Sequence, residues 1–198
     1  NYGWGLQSLM KDIARGSADN VLFDSTVQGI YSIYPEGTYP VNFITNHDEN
    51  SWNGTEFMRY QKTVDLMAAL SFTMPGMPLI YSGQEVGSDK QLAFFEKDQI
   101  DFTDRGYTDF YKKLITLKDQ NPALWNGASG GEWVYLESDY QSFVAFARSL
   151  GTNRVIFLMN MMPLPKSAHI KFNEFSGSYI KWKTGEKVDL NNEREFNF

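Results

Sequence analysis

The sequence predicts an α/β unit followed by an all-β unit, and three observations carry that prediction. Up to about residue 120, apolar residues recur at helical spacing between short apolar runs. Beyond residue 131 the period changes to two. Between the regimes lies a turn-rich stretch, Asn121-Pro122 followed by Asn126-Gly127-Ala128-Ser129-Gly130-Gly131. This places a domain boundary at 124/125, with units over 1–124 and 125–198.

The first helix is marked by Leu6, Leu9, Met10, Ile13 and Ala14, with Gly16 where a helix would stop. Residues 39–45 read as a short strand. Phe57, Tyr60, Val64, Met67 and Ala68 share one face of a second helix, which the Pro75-Gly76 loop closes. Residues 77–81 form a second short strand, whose leading prolines suit a strand start. A third helix carries Tyr107, Phe110, Tyr111, Leu114 and Ile115, with Thr108 as N-cap and Asn121-Pro122 as its end. Helices alternating with short strands are the pattern of a parallel sheet covered by helices. In the second unit, residues 133–136, 142–148, 154–160, 168–172, 179–183 and 194–198 are short and rich in aromatic and β-branched residues. Turns separate them, which suggests an antiparallel sandwich.

Composition narrows the function. With 18 Lys and Arg against 24 Asp and Glu, the net charge of −6 argues against a nucleic-acid partner, which would call for a basic stripe. No apolar run approaches ~20 residues, so no membrane span is expected. The chain has no cysteine, which excludes disulfides, zinc–thiolate sites and cysteine nucleophiles and leaves the compartment open. The opening Asn1-Tyr2-Gly3-Trp4-Gly5 shows neither the basic nor the apolar region of a signal peptide.

The most unusual local sequence is Phe43-Ile44-Thr45-Asn46-His47-Asp48-Glu49-Asn50. Asn46, His47, Asp48 and Glu49 are four groups able to bond a hydroxylated ligand, just past the carboxyl end of a strand. In barrels of parallel strands that rim collects the reacting residues. Read by itself, Asn-His-Asp is usually a turn or helix entry, since Asn and Asp side chains bond nearby backbone amides. An EF-hand fails on spacing, because no Glu stands at its twelfth position. Gly3 and Gly5 supply only half of a dinucleotide fingerprint. A histidine metal site would need His169, which falls in the all-β unit on a strand expected to face solvent.

Phe43-x-x-Asn46-His47-Asp48, with Pro75-Gly76-Met77-Pro78-Leu79-Ile80-Tyr81-Ser82-Gly83-Gln84-Glu85 after it, strongly resembles the α-amylase superfamily, glycoside hydrolase family 13. In that family the first stretch ends barrel strand seven and the second is strand eight. Residues 91–102 resemble the following loop, and 110–124 the last barrel helix and its exit. The resemblance implies a partial (β/α)8 barrel over 1–124, about strands 6–8 and helices 6–8, then a β-sandwich over 125–198. It also implies a retaining enzyme acting on α-glucosidic bonds of starch or maltooligosaccharides. Such an enzyme needs a carboxylate nucleophile and a carboxylic general acid. Asp48 matches neither; it matches the third family carboxylate, which stabilises the transition state. His47 matches the imidazole that bonds hydroxyls of the same ring, and Asn46 and Glu49 are further substrate-binding candidates.

No segment matches the nucleophile or the general acid. Asp19 and Asp24 stand in no motif, with Asp24 expected in a loop or cap, and Glu85 reads as loop support. A whole barrel takes ~250 residues, whereas residues 1–120 hold about three units. The chain is therefore expected to be a carboxyl-terminal fragment, inactive by itself on glucans. The resemblance implies no cofactor in these residues and calcium as a possible ligand of the full-length parent. An α-glucan or oligosaccharide is the expected partner, and open barrel edges suggest self-association. Alternatives are a transglycosylase, a sucrose- or trehalose-processing relative, or a non-catalytic amylase-like subunit. In a glycan-binding module, Trp125, Trp133, Tyr135, Tyr140, Tyr179 and Trp182 would be stacking platforms; otherwise they fill a core.

Overall fold

A computed structural model describes residues 1–35, 37–162 and 166–197. Phe198, the end of the last expected strand, lies outside the described residues. Helix α1 (Trp4–Ala14) forms where expected, buries Leu6, Leu9, Met10 and Ile13, and stops before Gly16, which has φ +71°. The next segment departs from expectation. Instead of a loop it is helix α2 (Asn20–Ser32), capped by Asp19, whose Oδ1 accepts from the Leu22 amide at 2.7 Å. Asp24 lies within this helix and accepts from Gln28 Nε2 at 2.9 Å. Only Phe23 and Val27 of α2 are fully buried, so its apolar stripe is too thin to show as periodicity.

Strands β1 (Val41–Asn42) and β2 (Met77–Pro78) pair in parallel, Val41 opposite Met77 and Asn42 opposite Pro78. Tyr2 bridges Val41, also in parallel, so three segments run side by side. The ladder is short: the Met77 amide donates to Pro40 O at 2.9 Å and the Leu79 amide to Asn42 O at 2.8 Å. A buried side chain supplements it, with Asn42 Nδ2 donating to Pro75 O at 3.0 Å. Gly76 makes that approach possible. It sits at φ +132°, and a Cβ there would lie 2.8 Å from Pro40 O and 2.7 Å from Asn42 Nδ2. Gly76→Ala should therefore cost about 2 kcal/mol, read as a lower thermal midpoint. An unchanged midpoint would show that the rim relaxes around the methyl group.

Helix α3 (His47–Asn53) follows β1 after the short connection 43–46. The helix expected through Phe57 and Ala68 is interrupted, giving α4 (Glu56–Tyr60), a 3₁₀ turn at Gln61–Thr63 and α5 (Val64–Thr73), with Gln61 at φ +48°. Helix α6 (Thr108–Gln120) ends at Asn121 as expected, but Thr108 is its first residue and not its cap. Asp104 Oδ1 takes that role, accepting from the amides of Gly106, Tyr107 and Thr108 at 2.9–3.2 Å.

In the second unit β3 (Glu132–Leu136), β4 (Phe143–Leu150) and β5 (Asn153–Asn160) form an antiparallel sheet. β6 (Ser167–Lys171) pairs with β9 (Glu193–Asn197), and β7 (Gly177–Ile180) with β8 (Lys187–Leu190), a strand not anticipated from sequence. β4 is covered on both faces. Ala145 and Ala147 pack with Ile170, Phe172 and Leu190, while Val144 and Phe146 join Leu6, Phe23, Met67 and Tyr111 of the helical unit. The Phe23 and Phe146 rings stack with centroids 6.4 Å apart. One core thus runs across the 124/125 position.

Arg148, on β4, lies in this seam with 2% of its surface exposed. Its guanidinium donates to Thr73 O at 3.0 Å, Gly131 O at 3.0 Å and Trp125 O at 3.2 Å. Lys118 Nζ donates to Leu124 O nearby, and burial followed by the charge of Arg148 brings its pKa down to about 8. Beside β2 lies an open hollow of about 400 Å³ lined by Phe72, Met77, Ile80, Ile115 and Trp125. Among the described residues no helix is long and apolar enough to cross a membrane.

Candidate active site

The site begins with a helix cap. Asn46 is extended at φ −152°, and its Oδ1 accepts from the Glu49 amide at 2.8 Å. That bond starts α3 at the end of β1 and satisfies an amide that would otherwise lack a partner. It also sets the directions of the next residues. His47 and Asp48 face outward, with side chains 50% and 43% exposed and Nε2 3.5 Å from Oδ1. Glu49 turns inward and is buried.

The inward side is a polar bracket. Glu49 accepts from Gln7 Nε2 at 2.8 Å and Asn53 Nδ2 at 3.2 Å, and pairs with Arg59 at 3.4 Å and Lys11 at 3.7 Å. Arg59 donates to Ile44 O at 2.9 Å, to Glu49 O at 3.0 Å and to Gly54 O. It therefore grips the chain before, within and after α3. A second tie runs to the loop after β2. Asn50 donates to Lys90 O at 3.1 Å and accepts from the Leu92 amide at 2.8 Å. The four expected ligand-bonding residues consequently divide. Asp48 and His47 are presented to solvent, whereas the oxygens of Asn46 and Glu49 are engaged in holding α3 and its surroundings.

Glu85 supports its own loop, accepting from the Gly83 amide at 2.8 Å. Glu56, the first residue of α4, is a buried carboxyl. Burial is the main reason its pKa rises to about 7; its own amide and Arg59 pull it down, and Asp89 pushes it up. Thr55 Oγ1 bonds Asp89 alongside. His169 lies apart on β6, half exposed, where its hydrogen bond to Asp139 at 3.0 Å raises its pKa. Among the described residues no three His, Asp or Glu side chains gather to hold a metal ion.

Most of the aromatics considered as stacking platforms in the second unit pack into cores. Trp133, Tyr135 and Trp182 lie against the larger one and Tyr179 against the smaller. Trp125 is more exposed, with Nε1 donating to Asp119 O at 3.0 Å. Exposed rings gather instead around His47. Tyr2 lies 6.4 Å from it and Phe94 6.0 Å, centroid to centroid, and Trp52 and Phe95 continue from Phe94. Sequence reading did not single out Trp52, Phe94 or Phe95. The available signal was three large rings in polar stretches, outside any periodic face.

His47 and Asp48 thus stand side by side past the carboxyl end of β1, the end at which parallel-barrel enzymes gather their reacting residues. Residues 16–162 match the family model described as "Alpha amylase, catalytic domain", and the chain belongs to that family. It is 30% identical over 162 residues to the beta/alpha-amylase of Paenibacillus polymyxa, covering 78% of this chain and 12% of that protein. It is 28% identical over 121 residues to the 1,4-alpha-glucan branching enzyme GlgB of Butyrivibrio fibrisolvens, covering 56% and 19%. Its fold matches the maltogenic alpha-amylase AmyB from Thermotoga neapolitana with a TM-score of 0.82 at 16% identity, over 100% of this chain and 48% of that one. The chain therefore spans less than half the length of these relatives.

Proposed function

We propose that this chain carries the sugar-gripping part of a retaining α-glucan-active glycoside hydrolase, with Asp48 stabilising the transition state and His47 bonding the same ring. In this reading residues 1–124 are the last units of a (β/α)8 barrel and 125–198 its β-sandwich. The observation that carries it is the outward-facing Asp48–His47 pair at the end of β1, in a chain of this family. An ionised carboxylate accepting two hydroxyls of one pyranose holds it more firmly as positive charge builds toward the oxocarbenium-like state. The imidazole adds a donor whose partner hydroxyl fixes the ring's orientation. The nucleophile and general acid have no matching segment here, so bond cleavage is assigned to other residues of the enzyme. The open hollow beside β2 is assigned to self-association of the chain.

Asp48→Asn keeps the shape and removes the charge. Loss of charged hydrogen bonds should weaken maltotriose binding by about tenfold or more, measured by titration calorimetry. The same preparation should turn over no starch. Unchanged affinity in Asp48→Asn, or starch hydrolysis by the chain itself, would overturn the assignment. Among the relatives are proteins named as branching enzyme and glucanotransferase, which favours glucan transfer as the second reading. The Asp48–His47 pair serves either outcome, because both begin by holding the same ring.

A further inference from the structure

Where the 43–46 connection, α3, α4 and the loop after β2 meet, a cavity of about 10 Å³ lies between Thr45, Asn50, Glu56, Gln84 and Ser88. That is room for about one occupant of the size of a water molecule. All five residues are buried, at 8% exposure or less. The sugar-gripping role assigned to Asp48 and His47 gives this cavity no part.

The wall offers oxygen. Its side-chain nitrogens are turned to other partners: Asn50 Nδ2 donates to Lys90 O at 3.1 Å and Gln84 Nε2 to Tyr111 Oη at 2.7 Å. The Lys90 ammonium, also at the wall, is 44% exposed, pairs with Asp98 and donates to Gln99 O at 2.8 Å. Asn50 Oδ1 accepts from the Leu92 amide at 2.8 Å and Gln84 Oε1 from the Tyr81 amide at 3.1 Å, which leaves each a second lone pair. Thr45 Oγ1 is buried with no hydrogen-bond partner among the described residues. A buried hydroxyl is normally bonded, so this one calls for an occupant.

Glu56 supplies the charge. Burial is the main reason that it holds its proton to about pH 7, and Asp89 adds to that effect. Arg59 opposes it, but its guanidinium is committed to Glu49 and to three main-chain oxygens. An ionised carboxylate in such a place is tolerated when a positive group meets it. A water molecule would serve the Thr45 hydroxyl and leave that charge unmatched. Calcium takes about 6–8 oxygens, several of them from carboxylates, and among the described residues no three acidic or His side chains gather. One negative charge, a wall of oxygens and a water-sized space fit a single monovalent ion.

We propose that this cavity binds one alkali cation, sodium or potassium, between the Glu56 carboxylate and the hydroxyls of Thr45 and Ser88. The ion ties α4 to the start of α3 and to the loop after β2, so the support beneath the outward-facing pair depends on the salt present. The proposal does not rest on the assignment of Asp48.

The test follows thermal midpoints of the 198-residue chain by circular dichroism at about pH 8, where Glu56 is ionised, in potassium, sodium and tetramethylammonium chloride at equal ionic strength. The organic cation is too large for the cavity and supplies screening alone. Potassium or sodium should raise the wild-type midpoint by about 4 °C over tetramethylammonium. Glu56→Gln should be the more stable protein in tetramethylammonium and should gain nothing from either metal ion, so that its lead narrows. Thr45→Val, which removes the hydroxyl at nearly constant shape, should lose most of the gain, and Thr45→Ser should keep it. The Thr45 pair decides alone if Glu56→Gln does not fold. Equal wild-type midpoints in all three salts leave the cavity to water and overturn the proposal. Equal gains in wild type and Glu56→Gln mark a general salt effect and overturn it as well. So does a gain from calcium chloride, at the same ionic strength, that exceeds the gain from both alkali ions.

Discussion

Arg148→Ala should destabilise the chain by about 3 kcal/mol, the net of two opposed effects. Removing the guanidinium leaves the carbonyls of Thr73, Trp125 and Gly131 without its N–H groups, and a buried acceptor without a donor costs about 1–3 kcal/mol. Against this, a cation is released from a site where burial already lowers its pKa to about 10. The carbonyls win because there are three of them, fixed in the end of α5 and in the 125–131 connection. Arg148→Lys should recover only part of the loss, since an ammonium cannot span three acceptors as the planar fork does. Urea unfolding checks this through a lower midpoint at unchanged slope. A second readout is Lys118, held at about 8 partly by the charge of Arg148, which should titrate higher in the alanine variant. A loss under about 1 kcal/mol would mean that the seam repacks without the fork.

Glu56→Gln should stabilise the chain above neutral pH and leave it unchanged below about pH 4.5. Burial raises the carboxyl from 4.5 to about 7 in the folded chain. Between those values the unfolded chain has released the proton that the folded chain keeps, so stability falls as pH rises. The fall is complete above about pH 7 and amounts to about 3 kcal/mol. Glutamine has the same shape and no such proton. Urea midpoints of wild type and variant should coincide at low pH and separate through this window. The exposed carboxylates with lowered pKa values, such as Asp101 and Asp104, act at lower pH and are common to both proteins. Parallel curves would show that the ionised Glu56 is accommodated, by Arg59 or by water, without penalty.

The regular parts of the fold were legible because they bury one face. α1 and α6 announce themselves by spacing, whereas α2 does not, since Phe23 and Val27 alone carry its inner face. β4 blurs the period of two because both of its faces are covered, by the helical unit on one side and by β6 and β8 residues on the other. The motif at 46–48 was legible as a motif, and its cap was one of the two readings that the tripeptide allowed. The division of labour within it was not. Glu49 turns inward because Gln7, 42 residues away, joins Arg59 and Lys11 in meeting it, and no local pattern encodes that partnership. Trp52 and Phe95 escaped notice for the opposite reason. Exposed rings have no periodicity, and only coordinates show that they adjoin His47.

Arg59 takes hold of α3 by main-chain oxygens at Ile44, Glu49 and Gly54, touching none of the side chains that α3 offers to solvent. The mount and the tool are thus chemically separate. Substitutions at the outward positions 51 and 52 should therefore leave the clamp beneath them with its purchase.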